Sequence, residues 1–393
     1  MILYFNPGHE TAVHNASPFY MPPANVAAMQ KELALLPAWY GNKEDVVLID
    51  NLSTGYYDTW IEKLPLLPKI ITKDDISQYK GTEASLWGIS PQSIHFFEEL
   101  EKEYEIELIV PKWHERYKYL NSREAARDVL SALIDEIPGI SGSIIPHFYN
   151  DLEEIEKLAD SSYDRLLAKA PYSSSGRGLL WLPVSGLTRT ERQILHGILK
   201  KQGSVSIEKA LDKQTDFAME FICDGSGDIR FEGYSLFYTN AKGAYESNYI
   251  GAQSDIEKQL ADKIPLLLLD KVKSALANIL KDKYAGIYKG CLGVDMMIYK
   301  DKNEYKLHPC VEVNMRYNMG YLAVRLFDSY IYPSSEGRFH IDFDAKEGEV
   351  YRKHQNMQDK YPVTFADGRL QSGYMPLCPV TKQSRYWTYV VVS

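Results

Sequence analysis

Residues 290–320 read GCLGVDMMIYKDKNEYKLHPCVEVNMRYNMG and carry the strongest structural signal in the chain. Two apolar alternations, at 292–298 and 307–313, predict a pair of strands. The polar residues 301–303 between them are typical of a turn. The stretch therefore predicts an antiparallel hairpin whose two faces both carry apolar side chains.

Two carboxylates and an amide of this hairpin are expected to converge. Facing residues of a hairpin have numbers that average to the centre of its turn, so Asp295 should face Glu312 within a residue or two. Asn314 should share the face of Glu312, because strand side chains repeat at every second residue. Such hard oxygen ligands suit Mg²⁺ that stays partly hydrated and is shared with phosphates. The alternative is a solvated strand face, although the apolar neighbours favour partly buried oxygens that need a cation or a hydrogen-bond donor.

The composition is that of a globular protein without a general basic surface. The chain has 393 residues, of which 45% are hydrophobic and 25% charged, and its formal net charge is −9. This length allows roughly two or three domains, and the acidic balance predicts no nucleic-acid partner and no membrane partner. The N-terminal residues lack the features of a signal peptide, and the longest apolar run, 264–269, is too short for a membrane span. The four cysteines have neither disulfide-framework nor zinc spacing, which favours a cytoplasmic protein.

The pattern of elements divides the chain into three parts. Residues 1–118 alternate strand and helix signals, which predicts an open α/β domain with a parallel sheet. The ligand site of such a domain would lie where strands end, near residues 6–10 and 90–92. Residues 119–330 form the second part, and 331–393 a strand-rich C-terminal extension.

Single elements are predicted within these parts. A strand is expected at 106–110, and a helix capped by Ser122 is expected to stop before Pro138. One long helix is expected over residues 256–281, directly before the hairpin.

Residues 169–178, KAPYSSSGRG, are a candidate phosphate loop directly after an apolar strand. Serines and glycines supply consecutive backbone N–H groups and hydroxyls with little bulk, and Lys169 and Arg177 add cations. The alternative is a flexible surface turn, but a lysine that ends an apolar strand favours the phosphate loop. The chain contains no G-K-[ST] sequence, so this is not a Walker loop.

Residues 205–221, VSIEKALDKQTDFAMEF, are a candidate hinge for a purine base. Extended backbone after Glu208 and Lys209 could offer an N–H and a C=O to a purine edge, and the acid could accept from an exocyclic amine. Pairs of Glu and Lys are common, so the segment on its own is a weak signal.

The order of these motifs, a Lys/Gly-rich loop, E-K-x-L, an Asp and E-x-N, resembles the ATP-grasp superfamily over roughly residues 119–326. The loop and hinge are similar to the versions found in biotin carboxylase. The resemblance implies an α/β ATP-grasp fold, α+β in a mobile lid at about 140–210, behind an open α/β pre-ATP-grasp domain at 1–118. ATP would lie between the lid and the last part of the ATP-grasp domain.

The resemblance also implies residue roles. Lys169 would contact the α and β phosphates, and the loop would cover the triphosphate through Ser173, Ser174, Ser175, Gly176, Arg177 and Gly178. The adenine hinge would be Glu208, Lys209, Ala210 and Leu211, with Asp216 as a ribose candidate. Two Mg²⁺ ions, with Mn²⁺ as an alternative, would be held by Asp295, Glu312 and Asn314. Arg123 stands where the superfamily usually has a second phosphate-binding lysine, which keeps the charge and changes the geometry.

The implied activity is ADP-forming ligation. A small-molecule carboxylate attacks the γ-phosphate to give an acyl phosphate, and an amine or another nucleophile then displaces phosphate. Arg316 is the candidate for contact with the γ-phosphate or acyl phosphate, and a surface arginine is the alternative. Gly293 stands where many relatives carry an arginine, and Lys242 or Lys289 is the candidate substitute.

Other functions stay open from the sequence. A kinase that phosphorylates a hydroxyl would use the same nucleotide residues, and a nucleotide-binding protein without turnover or a plain structural protein are further alternatives. His9 and His14 are one residue too far apart for the zinc motif H-E-x-x-H, so their loop is interpreted as a substrate or domain-contact element or a structural turn. The motifs do not name the carboxylate or its acceptor, and they leave a homodimer open.

Overall fold

The computed structural model describes residues 1–51, 55–162, 164–173, 176, 178–240 and 243–393. Its strands are β1 (Ile2–Tyr4), β2 (Val46–Leu48), β3 (Lys69–Ile71), β4 (Ala84–Leu86), β5 (His147–Tyr149), β6 (Leu166–Lys169), β7 (Leu179–Leu182), β8 (Val205–Lys209), β9 (Asp212–Asp224), β10 (Ile229–Thr239), β11 (Tyr245–Ile250), β12 (Lys289–Asp301), β13 (Glu304–Asn314), β14 (Gly337–Phe343), β15 (Thr364–Ala366), β16 (Arg369–Pro376) and β17 (Tyr386–Val392). Its α-helices are α1 (His9–Asn15), α2 (Ala24–Glu32), α3 (Tyr56–Ile61), α4 (Pro91–Glu103), α5 (Arg116–Leu120), α6 (Arg123–Glu136), α7 (Leu152–Ser161), α8 (Arg189–Gln202), α9 (Gln253–Ala261), α10 (Leu266–Leu280), α11 (Met319–Tyr330) and α12 (Glu349–Lys360).

The N-terminal strands form the open parallel sheet that the alternating pattern predicts, in the order β3-β2-β1-β4. The strand expected at 106–110 is wrong, because this segment makes only an isolated bridge between Glu83 and Ile109. The N–H of Leu108 bonds instead to the Glu101 side chain at 2.6 Å, which replaces a ladder partner. The short strand β3 was not predicted.

The β12–β13 hairpin lies at one edge of the large sheet, whose order is β13-β12-β9-β10-β11-β14-β17-β16-β15. Asp295 pairs directly with Glu312, so the predicted register is confirmed. The strands of the C-terminal extension continue the same sheet beyond β11, because β14 pairs with β11 along residues 337–340. Neighbouring strands lie ~4.8 Å apart, so β14 lies about 24 Å across the sheet from β13.

The single long helix expected over residues 256–281 is wrong. The structure has two helices, α9 and α10, and Pro265 is the residue that precedes the first turn of α10. A proline cannot continue a helix from its N-terminal side, since it lacks an N–H, but it is well suited to the start of a new helix. By contrast, the predicted cap of α6 is confirmed, because the Ser122 hydroxyl accepts from the Ala125 N–H at 3.3 Å.

A third sheet, in the order β5-β8-β6-β7, packs under α7 and α8 around its own small core. The buried core residues include Ile155, Leu195, Val205 and Ile207. We call these strands and helices the lid. Its separate core allows it to move as a unit relative to the large sheet.

A larger core ties the N-terminal sheet to the C-terminal extension. Leu3 and Trp39 are packed with Val390 in one cluster, and the Trp39 indole donates to the Leu377 carbonyl at 2.7 Å. In the described ranges, no helix is long and apolar enough to cross a membrane. The large sheet, held from both sides, is the fixed platform of the molecule.

Candidate functional site

One cleft of about 770 Å³ lies between the lid, the large sheet and the N-terminal domain. Pockets of about 300–1,000 Å³ are typical of small-molecule sites. The structure brings most of the sequence-predicted site residues into its lining, namely Arg123, Lys169, Gly176, Glu208, Lys209, Ala210, Leu211, Asp216, Asp295, Glu312, Asn314 and Arg316. Ser173 and Gly178 are not in the lining.

Four further candidates, Ser174, Ser175, Arg177 and Lys242, lie outside the described residues. Lys289, at the start of β12, is not in the lining, and its ammonium lies 2.6 Å from the Glu83 carboxylate.

The negative charge of the buried Asp295 carboxylate is poorly balanced by the described protein side chains. Burial, together with the neighbouring Glu312 and Glu220 charges, raises the pKa of Asp295 well above its usual range. Among the described side chains, no Lys or Arg forms an ion pair with it. A bound cation would supply the missing compensation.

The oxygen donors of the β12–β13 hairpin fit Mg²⁺ that also binds water and phosphate, rather than a metal ion bound only by protein side chains. The described residues contain no group of three or more His, Cys, Asp and Glu side chains that could hold a metal ion. The hairpin offers two carboxylates, Asp295 and Glu312, and the amide oxygen of Asn314. Mg²⁺ is commonly held by one or two carboxylates plus water and substrate phosphates. The set therefore suits a metal that arrives with a phosphate ligand.

The candidate phosphate loop connects the antiparallel strands β6 and β7 of the lid. Lys169 ends β6 with only 5% of its surface exposed, and its ammonium lies 2.5 Å from Glu208 on the neighbouring strand β8. Gly176 has φ +73°, and a Cβ there would lie 2.7 Å from the Gly243 carbonyl oxygen. The loop thus passes tightly against the turn after β10, where only glycine fits.

Arg123 connects this loop to the β12–β13 hairpin. Its Nε donates to the Ala170 carbonyl at 3.1 Å, and one terminal nitrogen contacts Ser173 Oγ at 3.4 Å and Glu312 at 3.2 Å. The side chain is almost fully buried at the N-terminus of α6. One guanidinium therefore spans the space between the loop and the acids of the hairpin.

Near the hinge, apolar side chains from the lid and the large sheet line the cleft, namely Leu167, Trp181, Leu211, Met297 and Val311. The N–H of Ala210 already donates to the Arg165 carbonyl at 2.8 Å, so Ala210 offers no free N–H to a base.

Lys209 and Asp216, two of the residues near the candidate hinge, each form an ion pair with another side chain of the protein. Lys209 directs its ammonium outward to Asp164 at 3.0 Å, so only its backbone belongs to the hinge. Asp216 accepts from Lys213 at 2.5 Å and from Thr239 at 2.9 Å. A ribose hydroxyl at Asp216 would therefore join an existing network.

Arg316 is a part-buried residue that is fixed from the N-terminal domain. Its Nε donates to Glu10 at 2.6 Å, and another nitrogen donates to the Asn314 side chain at 3.0 Å. Burial alone would raise the pKa of Glu10, but the Arg316 charge lowers it to about 2. Arg316 is therefore not a surface arginine. The loop expected at residues 9–14 is wrong, because these residues begin helix α1, which contacts Arg316 through Glu10.

The two histidines of helix α1 have different partners. His9 Nε2 lies 2.9 Å from Asn121, whereas His14 Nε2 lies 3.0 Å from the Lys201 carbonyl and its ring stacks on Tyr172. They do not converge, in agreement with the spacing argument against zinc.

Sequence reasoning missed a group of polar residues deeper along the sheet. Glu220, Ser235 and Asn318 line the cleft and are buried, although they come from β9, β10 and the residue before α11. The extension adds a wall near the end of β14, through Ile341, Asp342, Phe343 and also Tyr386. For these residues the only local signal in the sequence was Asn318 as the cap of α11. The others lie on strands that are far apart in sequence and pair only in the folded sheet.

Comparisons with known proteins place the fold. No protein-family model matches the chain, and no curated protein matches it in sequence. Among solved structures, the biotin carboxylase of Campylobacter jejuni, described as a complex with beta-gamma-ATP, matches with a TM-score of 0.51 at 13% identity, over 100% of this chain and 87% of that one. The biotin carboxylase domain of the Hydrogenobacter thermophilus 2-oxoglutarate carboxylase, in complex with MgADP, ADP and bicarbonate, matches with a TM-score of 0.51 at 13% identity, over 100% and 86%.

A further solved structure is N5-carboxyaminoimidazole synthetase from Staphylococcus aureus in complex with ADP. It matches with a TM-score of 0.48 at 11% identity, over 100% of this chain and 93% of that one. At these identities the likeness concerns the fold.

Proposed function

We propose, from the ATP-grasp fold of this chain and the chemistry of its cleft, that the protein is an ATP-dependent, ADP-forming ligase. It would activate a small-molecule carboxylate as an acyl phosphate for attack by an amine or a similar nucleophile. The observation that carries the proposal is that Lys169, Arg123 and the facing pair Asp295–Glu312 line one cleft. These are the charges that a nucleoside triphosphate and its metal require.

The ion pairs of the cleft support a site made ready for phosphate. Lys169 is paired with Glu208, and Arg123 with Glu312, so each buried cation is neutralised before any ligand arrives. An incoming triphosphate would take hydrogen bonds from Lys169 and Arg123 in place of these carboxylates. Glu312 would then be free to bind a cation, which couples the binding of phosphate to the binding of metal.

Asp295, Glu312 and Asn314 are the residues that would hold Mg²⁺, one ion or two. When bound, the metal supplies charge neutralisation for the oxygens of the transferred phosphoryl group. The apolar side chains around Leu211 would hold the adenine, and the short ion pair of Asp216 with Lys213 would border the ribose.

Arg316 would orient the substrate carboxylate. Its guanidinium is clamped by Glu10 on one side and by the Asn314 oxygen on another, so it projects into the cleft without freedom to reorient. A substrate carboxylate oxygen would attack the γ-phosphorus, the bond from phosphorus to the ADP oxygen would break, and ADP would leave. The nucleophile would then form a bond to the acyl carbon and give up one proton, the bond from that carbon to the phosphate oxygen would break, and free phosphate would leave.

The test combines purified protein, ATP and Mg²⁺ with panels of amino acids, other carboxylic acids and primary amines. ADP release is followed by a coupled assay, and hydroxylamine is added in parallel to trap an acyl phosphate as a hydroxamate. The ligase proposal predicts hydroxamate that depends on ATP and on a carboxylate.

The same assay separates the rival functions. A stable phosphate ester with ADP release would identify a kinase instead, since a kinase transfers the phosphoryl group to a hydroxyl. If ATP with Mg²⁺ neither binds nor raises the melting temperature of the protein, both the ligase and the kinase are excluded.

A further inference from the structure

Glu220 differs from the other carboxylates that line the cleft. Four of those have a cation within salt-bridge distance, in the pairs Glu10–Arg316, Glu208–Lys169, Asp216–Lys213 and Glu312–Arg123. Asp295 is accounted for by the metal site and Asp342 is exposed to solvent. Glu220 is only 1% exposed, and no Lys or Arg of the described part of the chain forms an ion pair with it, although the Arg316 charge acts on it from a distance.

The carboxylate of Glu220 is held in one orientation by neutral donors. Ser235 Oγ donates to Oε1 at 2.9 Å, and Asn318 Nδ2 donates to Oε2 at 2.8 Å. The orientation of Asn318 is fixed, because its oxygen accepts from the Tyr321 N–H at 2.9 Å as the cap of α11. Each carboxylate oxygen has one such donor and retains a second acceptor position.

Two glycines make the room that this carboxylate occupies. A Cβ on Gly320 would lie 2.0 Å from Glu220 Oε1, and a Cβ on Gly293 would lie 2.8 Å from Oε2. The sequence does not explain why position 293 is a glycine rather than an arginine. The structure gives a physical reason, because a larger residue at this position would collide with Glu220. The fold therefore encloses a carboxylate at the floor of the cleft and keeps other side chains away from it.

We propose that Glu220 binds the amine nucleophile of the second substrate and accepts the proton that this amine releases. The inference rests on the proposed ligase function. The amine nitrogen forms a bond to the acyl carbon, the bond between that carbon and the phosphate oxygen breaks, and phosphate leaves. The amine binds as an ammonium and gives one proton to a Glu220 oxygen before it attacks; a second proton leaves the nitrogen with the departing phosphate or to solvent. The proton on Glu220 later passes to solvent.

The chemistry of this part of the cleft favours an amine over other nucleophiles. A buried carboxylate that forms no ion pair attracts a protonated amine and repels an anionic nucleophile such as a thiolate or a second carboxylate. Burial raises the pKa of Glu220 to about 7, against the opposing effects of the hydrogen bonds from Asn318 and Ser235 and of the Arg316 charge. A carboxyl group with such a pKa can take up and release a proton at neutral pH.

The first test needs no knowledge of the substrates. MgADP-saturated protein is titrated with methylammonium chloride or, at equal ionic strength, with tetramethylammonium chloride, which has no N–H to donate. The wild-type melting temperature should rise more with methylammonium, whereas E220Q should show equal effects of both salts. Equal effects in the wild type would overturn the proposal.

The second test separates this inference from the ligase function itself. Hydroxylamine is a strong neutral nucleophile, so it traps the acyl phosphate as a hydroxamate without a proton acceptor on the enzyme. Amide formation from the primary-amine panel, by contrast, needs that proton acceptor. E220Q should keep hydroxamate formation and MgADP affinity close to wild type and lose amide formation by about 100-fold.

Control variants separate the outcomes. E304Q makes the same chemical change at an exposed position of β13 and should leave both reactions unchanged. G320A keeps the carboxylate but displaces it, so it should lose amide formation selectively if it retains MgADP binding. Amide formation at the wild-type rate in E220Q, or equal loss of both reactions, would refute the role of Glu220, whereas absence of hydroxamate in the wild type would refute the ligase function.

Discussion

The two sides of the cleft differ in how the charges of their buried side chains are balanced. On the nucleotide side, between the lid and the β12–β13 hairpin, buried cations are stored in ion pairs such as Lys169–Glu208 at 2.5 Å and Arg123–Glu312 at 3.2 Å. On the other side, which runs across the sheet from β9 toward β14, Glu220 of β9 is buried beside the neutral donors Ser235 and Asn318, and Asp342 of β14 is exposed. The Arg316 charge acts on Glu220 but forms no ion pair with it. One side is thus prepared for an anion with its metal, and the other for a neutral or cationic group.

This contrast in charge allows one cleft to place two substrates in separate positions. A buried ion pair exchanges partners at low cost when the ligand brings the matching charges, but it excludes a ligand of the wrong sign. Arg316 lies at the boundary, held by Glu10 from the N-terminal domain at 2.6 Å. This position suits a group that must contact both the phosphoryl donor and the carboxylate.

Glu312→Gln should cause the largest loss of activity, through its effect on the proposed nucleotide side of the cleft. The change removes a carboxylate charge from the metal-holding pair and leaves Arg123 without its ion partner. ADP formation should fall by about 1,000-fold, with the protein still folded by circular dichroism. The exposed change E304Q on the same strand is the control, and a wild-type rate in E312Q would contradict the metal role.

Lys169→Ala should weaken the same side through the phosphate contact. The buried ammonium at the end of β6 is lost, so turnover should fall by about 100-fold and MgADP should bind more weakly. Calorimetric titration of MgADP and steady-state ADP release give the two quantities. Retention of both near wild-type values would show that Lys169 is only a partner for Glu208.

Glu10→Gln tests the boundary between the two sides. Arg316 would lose its clamp, so turnover should fall by about 10- to 100-fold while MgADP affinity stays unchanged. Leaving a buried guanidinium without its partner should also cost about 3 kcal/mol of stability, measured by urea unfolding. Loss of nucleotide affinity in this variant would mean that Glu10 supports the nucleotide side instead.

Glu220 should leave a signature in the dependence of stability on pH. Burial raises its pKa to about 7 from the ordinary value of 4.5, so between these pH values the folded protein holds a proton that the unfolded chain has released. This contribution to the free energy of unfolding is present below the lower value and is lost as pH rises toward the higher one. Urea unfolding of E220Q at several pH values should show a smaller decline than the wild type, and an identical decline would contradict the buried, uncompensated state.

Phe343→Ala should give the smallest effect, confined to the side toward β14. The ring is 56% exposed, so its removal should change stability by less than about 0.5 kcal/mol. The KM of the second substrate should rise by about threefold, with MgADP affinity unchanged, because the wall of the cleft loses apolar contact area. An effect on the nucleotide instead would assign this wall to the other side.

The sequence predicted the register of the β12–β13 hairpin and the cap of α6 because their signals are local. The facing of Asp295 and Glu312 followed from the alternation and the turn alone, and the structure confirms it. The cap of α6 by Ser122 was equally local. By contrast, the break at Pro265 was missed because the apolar pattern continues on both sides of it.

The side toward β14 could not be predicted for a physical reason. Glu220, Ser235 and Asn318 meet only because three separate elements pack on one sheet, and no spacing in the sequence records that meeting. The same holds for Glu10 and Arg316, which are 306 positions apart and are joined across the domain boundary. Such pairs depend on tertiary packing, where single-residue patterns carry no signal.

Titration of ATP into the wild type and E312Q, with and without Mg²⁺, tests the central claim that nucleotide and metal share one side of this cleft. The account predicts one ATP site in the wild type whose affinity rises when Mg²⁺ is present, and loss of that Mg²⁺ effect in E312Q. Absence of ATP binding in the wild type, or an unchanged Mg²⁺ effect in E312Q, would contradict it.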